Sequence, residues 1–381
     1  MEQNNTVQTE HSHAPKTLIK IGITQGDPNG VGLELILKAF SDPTMFDLCL
    51  PVLFGSAKIA AYHRKALGLE TNFNIINSAE EAQRGHLNLV NCYDKDFTTN
   101  FGHNDPEAGH VAYVALEAAT EALKNGLIDA LVTAPICKAA IQSADFRFAG
   151  HTEYLCNRLG HGEQPLMILA NSMMRVALAT THLSLAEVAG ALTQELIEEK
   201  ITLLSDSLRH DFLVPAPRIA VLGLNPHNGD NGTMGEEEKT IIAPAIAAAT
   251  NKGINAFGPY PADGFFGSGA YAKFDGILAM YHDQGLTPLK TLSMDDGINF
   301  TAGLPYVRTS PDHGTAFDIA GQGIASEGSL RAAIYAAIDL YRNREADREA
   351  YKNPLPKLYH ERREETGRGR FAPQSQPQSG E

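Results

Sequence analysis

The segment IKIGIT, from Ile19 to Thr24, is the first of several short apolar runs that decide the fold of this chain. Four more runs of this kind are VLF (Val52 to Phe54), ALVT (Ala130 to Thr133), RIAVLG (Arg218 to Gly223) and GILAM (Gly276 to Met280). Short runs rich in β-branched and aliphatic residues are typical of strands that are buried on both faces. They alternate with alanine-rich helical patterns, and this alternation predicts an α/β fold with a largely parallel central sheet.

One of the helical patterns runs from His110 to Lys124. Its apolar residues, among them Val111 and Leu123, recur near one helical face, and Gly126 follows in the position of a glycine cap. No internal repeat and no long linker interrupts the alternation of strands and helices. We therefore predict a single unit, residues 17–345, in which one chain forms two interleaved α/β lobes.

Both ends of the chain are polar and unpatterned. Residues 1–16 predict a flexible N-terminal tail, and residues 346–381, rich in Arg, Glu, Gln, Pro and Ser, predict a disordered C-terminal tail. His11 and His13 in the first tail could bind a metal weakly, but we interpret them as solvated residues of a flexible segment.

Composition and charge exclude several classes of protein. The formal net charge of −14 over 381 residues opposes the counterion release that drives nucleic-acid binding. The start of the chain does not resemble a signal peptide, and no run approaches the roughly 18 apolar residues of a membrane span. We expect a cytoplasmic protein that binds neither nucleic acid nor membrane. Neither a disulfide framework nor a cysteine-based zinc site is predicted, because no C-x-x-C pair occurs among Cys49, Cys92, Cys137 and Cys156.

Three histidines each follow a predicted strand: His182 after VALATT, His227 within GLNPHNGDNG, and His282 after ILAMY. Open α/β sheets bind ligands beyond the carboxyl ends of their strands, and neutral imidazoles bind divalent metals. Taken alone, each histidine fits a loop or core residue better than a ligand, since spacing cannot bring the three together. Asp283 could orient an imidazole or hold a cofactor, and its alternative role is a helix cap.

Two groups of residues could bind an anion. His151 and Thr152, in AGHTEYL, stand at a predicted helix start, where backbone N–H groups favour an anion, although an ordinary helix cap would look the same. Lys290, Asn299 and Arg308 lie in a stretch with few other cations and could share an anion, or could be three unrelated surface residues. Because the net charge repels anions at long range, a few converging cations would have to hold one.

Two glycine-rich stretches have the composition of phosphate-binding or dinucleotide-binding loops. GDPNGVG (Gly26 to Gly32) follows the first strand and could cradle a phosphate or form only a tight turn, but it lacks the Gly-Lys-Ser/Thr ending of a P-loop. GSGAYA (Gly267 to Ala272) matches the dinucleotide pattern, yet no strand precedes it. These two observations exclude a P-loop NTPase and leave no standard Rossmann fingerprint. The sequence also lacks a G-x-S-x-G elbow and an H-E-x-x-H motif, which excludes serine hydrolases and zincins.

Eight segments resemble, in order, the signature blocks of the 4-hydroxythreonine-4-phosphate dehydrogenases, from about Lys20 to Tyr341. The segments are GITQGDPNGVGLEL, DALVTAPICK, GHTEYL, TTHLSL, GLNPHNGDNGTMGEEE, PYPAD, AMYHDQGLTPLK and GLPYVRTSPDHGTAFDIAGQG. The stretch DHGTAFDIAG in the last block is also similar to a loop of isocitrate and isopropylmalate dehydrogenases. This similarity implies their two-lobed, non-Rossmann fold.

The resemblance implies a divalent metal ion (zinc, magnesium, cobalt or manganese) bound by His182, His227 and His282, which come from both subunits of a homodimer. It implies substrate binding by His151, Thr152, Lys290, Asn299 and Arg308. We assign catalytic roles to Lys290 and Asp283, and contacts with NAD or NADP to Gly314, Thr315 and Asp318.

The reaction that the resemblance implies is the oxidation of 4-phosphooxy-L-threonine to 2-amino-3-oxo-4-phosphooxybutanoate. That product loses CO2 to give 3-amino-2-oxopropyl phosphate, in the biosynthesis of vitamin B6. Three alternatives stay open: a paralogue that oxidises D-threonate or D-erythronate 4-phosphate, a metal-dependent hydrolase or aldolase without a redox cofactor, and a catalytically silent phosphate-binding protein.

Overall fold

A computed structural model gives the structure of residues 18–143, 145–160, 162, 165–292 and 295–353. Twelve strands form one sheet in these residues. The strands are β1 (Ile19–Thr24), β2 (Cys49–Gly55), β3 (Phe73–Ile76), β4 (Leu87–Asn91), β5 (Ala130–Thr133), β6 (Leu166–Ala170), β7 (Arg175–Leu178), β8 (Arg218–Leu222), β9 (Asn255–Tyr260), β10 (Gly276–Ala279), β11 (Ile298–Ala302) and β12 (Val307–Pro311).

Helices connect most of these strands. They are α1 (Gly32–Ala39), α2 (Met45–Leu48), α3 (Ala57–Ala66), α4 (Pro106–Lys124), α5 (Lys138–Ile141), α6 (His151–Leu159), α7 (Leu185–Ala191), α8 (Gln194–His210), α9 (Ala243–Asn251), α10 (Ala262–Gly267), α11 (His282–Leu292) and α12 (Gly328–Lys352). Short 3₁₀ segments occur at Ala79–Glu81, Pro226–Gly232 and Ala270–Lys273, and Glu238–Ile242 forms a π-helical turn.

The sheet consists of two parallel halves joined by antiparallel strands. Its order is β3-β4-β2-β1-β5-β12-β11-β6-β7-β10-β8-β9. The first half, β3 to β12 in that order, and the second half, β7 to β9, each contain parallel pairs alone. The three antiparallel pairs all involve β11 or β6, which lie between the halves. The halves therefore run in opposite directions, and the chain leaves the first half after β5 and returns to it with β12.

The core lies on both faces of the central strands. β5 and β12 are buried along their whole length, and α12 packs against both of them. Leu330 and Ile334 of α12 are fully buried and one helical turn apart, so they share the face that meets the sheet. Full burial of a side chain of this size contributes about 1.5–3 kcal/mol to folding.

The predicted α/β class and the largely parallel sheet are confirmed. The runs IKIGIT and ALVT form β1 and β5 over the predicted residues, while VLF lies inside β2, and RIAVLG and GILAM form β8 and β10 to within a residue. The helix predicted from His110 begins earlier, because Asp105 caps it and Pro106 stands in its first turn.

The predicted C-terminal tail begins too early. Helix α12 continues through residue 345 to Lys352, and the exposed pairs Arg348–Glu345 and Lys352–Glu349 stabilise its solvated last turns. Residues 354–381 and the predicted N-terminal tail, 1–16, lie outside the described residues. In the described part of the chain, no helix is long and apolar enough to cross a membrane.

Candidate functional site

A cavity of about 330 Å³ opens where the two halves of the sheet meet. Strands β5, β6, β11 and β12 and helices α5, α6 and α11 all contribute to its wall. A volume of this size suits a small polar metabolite. The cavity gathers most of the residues that the sequence singled out, namely His151, Thr152, His182, His282, Lys290, Asn299, Arg308 and Gly314.

Arg308 is a buried cation that forms no salt bridge in the described residues. Its side chain, on β12, is 3% exposed, and its three hydrogen bonds go to the hydroxyls of Thr133 and Thr301 at 2.6–3.2 Å. Burial lowers the pKa of Arg308 to about 10, against the opposing attraction of Glu153, and this leaves the guanidinium charged at neutral pH. A buried charge that is bonded to neutral groups alone is costly unless an anion joins it.

Three residues of the same wall have a polar atom without a hydrogen-bond partner in the described residues. The Nε2 atoms of His151 and His313 and the Oδ1 atom of Asn299 are buried and unpartnered. Burial, and after it the charges of Arg308 and Lys138, lowers the pKa of His151, so its imidazole is neutral at pH 7. Buried polar atoms without partners are rare in native proteins, so these three are available to a ligand.

Lys290 lies at the opposite end of α11 from His282, and its charge is paired with Asp312. Its Nζ atom donates to the carbonyl oxygen of Asp312 at 3.0 Å and lies 3.3 Å from the Asp312 carboxylate. Burial raises the pKa of Asp312, against the opposing effect of Lys290. Lys290 therefore reaches the cavity with one side of its ammonium group already bonded.

His182 and His282 face the same cavity. The Nδ1 atom of His282 lies 2.7 Å from a carboxylate oxygen of Asp283, which fixes the ring and leaves Nε2 for another contact. The Nδ1 atom of His182 lies 3.8 Å from Glu153, and its Nε2 atom lies 3.4 Å from Nζ of Lys138. Burial, followed by the charge of Lys138, lowers the pKa of His182 and favours the neutral ring that a metal needs.

His227 does not line this cavity. It lies exposed in the Pro226–Gly232 segment, where five consecutive residues have a positive φ between 43° and 74°. Three hydrogen bonds hold the loop and the residues that lead into it: Asn228 donates to the carbonyl of Pro259, and the Glu238 carboxylate accepts from the N–H groups of Leu224 and Asn225. In the described residues of one chain, no three His, Cys, Asp or Glu side chains form a metal-binding group. One chain thus brings two of the three predicted histidines together.

The loop predicted to contact a cofactor lies beside the cavity. Gly314 lines the cavity and has open space next to it, whereas Thr315 and Asp318 do not line the cavity. The backbone of Thr315 packs against the first turn of the chain: its carbonyl accepts from the N–H of Val31, and a methyl group on Gly30 would lie 2.9 Å from the same oxygen.

In the turn GDPNGVG, four N–H groups that a phosphate would need are already bonded within the protein. The N–H groups of Asp27, Asn29, Gly30 and Val31 all donate to acceptors within the protein. GSGAYA runs from the last residue of α10 into the 3₁₀ segment Ala270–Lys273 and does not follow a strand.

Several residues of the cavity wall were given no role from the sequence, among them Thr133, Lys138, Glu153 and Asp312. Thr133 and Lys138 could have been found, because they end and closely follow the predicted strand ALVT, where parallel sheets place ligands. Glu153 in GHTEYL and Asp312 in DHGTAFDIAG have no local signal that separates a cavity residue from an ordinary helix or loop residue.

Comparisons with known proteins agree with one another. The family model of the pyridoxal phosphate biosynthetic protein PdxA matches residues 47–337. The chain is 58% identical over 348 residues to a 4-hydroxythreonine-4-phosphate dehydrogenase of Bacteroides thetaiotaomicron, covering 91% of this chain and 96% of that protein. It is 41% identical to a protein of the same name from Desulforapulum autotrophicum, covering 83% of this chain and 94% of that protein.

A solved structure gives the same result for the fold. The crystal structure of 4-hydroxythreonine-4-phosphate dehydrogenase from Klebsiella pneumoniae superposes with a TM-score of 0.76 at 36% sequence identity. The match covers 86% of this chain and 99% of that one.

Proposed function

Since the chain belongs to the PdxA family of pyridoxal phosphate biosynthetic proteins, we propose that it oxidises 4-phosphooxy-L-threonine with NAD or NADP. The product, 2-amino-3-oxo-4-phosphooxybutanoate, is a β-keto acid and loses CO2 to give 3-amino-2-oxopropyl phosphate. The names of the relatives support the substrate. The observation that carries the proposal is a cavity of metabolite size, lined by a buried arginine that forms no salt bridge in the described residues and by three unpartnered polar atoms.

The chain's own residues bind and orient the substrate. Arg308, His151 and Thr152 lie where they can hold its anionic groups, and Asn299 offers a free amide oxygen. Such contacts would fix the orientation of the hydroxyl-bearing carbon, and a bound nicotinamide cofactor would supply the hydride acceptor there. Lys290 holds a positive charge near the oxygen that becomes negative as CO2 leaves, while Asp312 keeps the ammonium group in place.

The donor set fits a divalent metal ion. His182 and His282 both present imidazole rings to the cavity, and Asp283 orients the second one. We propose that His227 of the partner subunit completes the set in a homodimer, because His227 of the same chain lies outside the cavity. When bound, zinc, magnesium, cobalt or manganese would act as a Lewis acid that makes the substrate hydroxyl easier to deprotonate.

The nicotinamide cofactor is assigned to the loop after β12. Gly314 has open space at the cavity edge, which allows close approach of a ligand, and Thr315 and Asp318 follow it in the same loop. We propose contacts of this loop with NAD or NADP.

The direct test is absorbance of NADH or NADPH after adding 4-phosphooxy-L-threonine to the metal-loaded protein. D-threonate 4-phosphate and D-erythronate 4-phosphate, which lack the amino group, are the matched controls. Higher kcat/KM with the amino acid supports the proposal. Higher kcat/KM with either control assigns the chain to a paralogous activity, and no reduced cofactor with any of the three overturns the dehydrogenase proposal.

The shared site has its own test. H227A and R308M each remove one residue, and each homodimer should be inactive. A heterodimer of the two carries both lesions in one site and none in the other, so co-expression should restore about a quarter of the wild-type activity. No recovery in verified heterodimers would show that His227 does not act on the partner's site.

A further inference from the structure

The cavity contains, besides Arg308 and Lys290, a third cation that has no role in the proposed function. Lys138 is the first residue of α5, just beyond the end of β5. Its ammonium group lines the cavity together with His151 and Arg308. Its contact in the described residues is with the neutral ring of His182, at 3.4 Å, and not with a carboxylate.

The surroundings of Lys138 differ from those of the other lysine in the cavity. Lys290 is paired with Asp312, whereas Lys138 and Arg308 both face His151 and, after burial, lower the pKa of its ring. Glu153 lines the same cavity and attracts Arg308, but in the described residues its ion pair is with His182 and with neither of these two cations. Two cations in a half-enclosed cavity repel one another until an anion lies between them, so this arrangement favours an anionic ligand.

The position of Lys138 is fixed by the first turn of the chain. The N–H of Asp27 donates to the carbonyl of Pro135 at 2.9 Å, three residues before Lys138. Gly26 packs so closely that an added methyl group would lie 2.4 Å from the Pro135 oxygen. Contacts of the first turn with the backbone of Pro135 therefore hold the segment that leads to Lys138.

We propose that Lys138 is a further substrate-binding residue, whose ammonium group binds an oxyanion of the substrate opposite Arg308. This inference rests on the proposed function. The oxyanion belongs to the phosphate or to the carboxylate of the substrate. Gly150, at the start of α6, lies beside the lysine stem, so the oxyanion would also face the N-terminus of that helix.

The test uses the metal-loaded dimer and two probes that undergo no turnover. Binding of inorganic phosphate and of L-threonine is measured by isothermal titration calorimetry for wild type, K138M and K138R. K138M keeps the length of the side chain and removes its charge. The expected result is about 10-fold to 100-fold weaker binding of one probe to K138M, with most of the affinity kept in K138R. Loss for phosphate assigns Lys138 to the phosphate end, and loss for L-threonine assigns it to the carboxylate end.

Controls separate this role from a structural one. K124M removes an exposed lysine at the end of α4 and should bind both probes as wild type does. Turnover of K138M should show a raised KM, and its metal content should equal that of wild type. Unchanged binding of both probes to K138M overturns the inference, as does loss of metal from K138M, which would mean that Lys138 acts on His182. Wild type that binds the probes but forms no reduced cofactor would instead refute the proposed function alone.

Discussion

Two regions of this molecule contain the residue types of an anion site, and they use them in opposite ways. In the cavity, Arg308 is bonded to hydroxyls alone, and the Nε2 atom of His151 has no partner. In the first turn, Gly26 to Gly32, the N–H groups of Asp27, Asn29, Gly30 and Val31 donate to acceptors within the protein, although the Oδ2 atom of Asp27 has no partner in the described residues. The cationic and polar groups of the cavity are thus available to an anion, whereas the N–H groups that a phosphate would need in the turn are used by the fold.

The difference shows that residue type does not decide between binding and structure. What decides is whether the polar groups find partners within the chain, because an unsatisfied buried group costs about 1–3 kcal/mol. Substitutions in the cavity should therefore change binding with little loss of stability. Substitutions in the first turn should change stability first.

The largest expected effect is that of Arg308→Met. Removing the charge should lower kcat/KM about a thousandfold, since charge-assisted hydrogen bonds to the substrate are lost. The free energy of unfolding should stay equal or rise, because a desolvated charge without an anion is replaced by an apolar side chain. Steady-state kinetics and urea denaturation measure the two quantities.

Arg331→Met is the control for this variant. Arg331 pairs with Asp42 and Glu327 outside the cavity, so kcat/KM should be that of wild type. A strongly destabilised R308M would contradict the comparison, because Arg308 would then belong to the fold.

The second effect concerns two buried titratable side chains, Asp27 in the first turn and His63, whose ring contacts the Pro28 carbonyl of that turn. Burial raises the pKa of Asp27 from its usual 3.8 to about 6, so folding takes up a proton and the free energy of unfolding falls as pH rises through this window. Burial lowers the pKa of His63 from 6.5 to about 4, so the folded state keeps the neutral ring. For His63 the free energy of unfolding falls as pH is lowered. Each contribution reaches about 3 kcal/mol.

Between pH 4 and 6 these two slopes oppose each other. In Asp27→Asn the remaining slope should make stability fall more steeply on acidification than in wild type. In His63→Gln, whose amide can still donate to the Pro28 carbonyl that bonds His63, stability should rise on acidification relative to wild type. Urea titrations at intervals of pH give both difference curves, and parallel curves for all three proteins would contradict the assignment.

The third effect concerns Asp283, which contacts His282 but does not itself line the cavity. Asp283→Asn keeps the shape of the side chain but weakens its hold on His282, and we expect about 10-fold to 100-fold lower metal affinity. Metal content after dialysis against graded chelator is the measurement. Asp47→Asn, also an acid in a first helical turn, should retain metal as wild type does. Equal retention by both variants would refute a metal at His282.

The smallest effect is expected for Gly30→Ala. The added methyl group would press on Thr315, with its nearest atom at 2.9 Å, and should cost about 1–2 kcal/mol of unfolding free energy. Gly190→Ala in α7 has open space and should gain about 0.5–1 kcal/mol. Thermal unfolding of both variants measures the contrast. Stabilisation by both would show that the turn does not press on the loop after β12.

Much of the fold could be predicted because the central strands are apolar on both faces. β1 and β5 were found over their full lengths for this reason. β12 was missed, since VRTSP contains Arg308, Thr309 and Ser310 and yet is fully buried. Its burial comes from pairing with β5, whose Thr133 is 175 residues away from Arg308. No local pattern records a pairing of that range.

Part of the candidate site could also be predicted from the sequence. Residues that follow predicted strands, such as His182 and His282, were identified by position, and the structure places both at the cavity. Whether Arg308 was a surface residue or a buried one could not be known from its neighbours. The separation of His227 from the other two histidines was also invisible, because it depends on the path of the Pro226–Gly232 segment.

That segment has an evolutionary consequence. Exposed loops usually accept substitution freely, but here His227, Asn228, Asp230 and Asn231 all have the left-handed backbone that costs most L-residues about 1–2 kcal/mol. Asn and Asp tolerate this conformation best, and β-branched residues tolerate it worst. The sequence of this loop should therefore change slowly in evolution and stay limited to Asn, Asp, Gly and His, although the loop is on the surface.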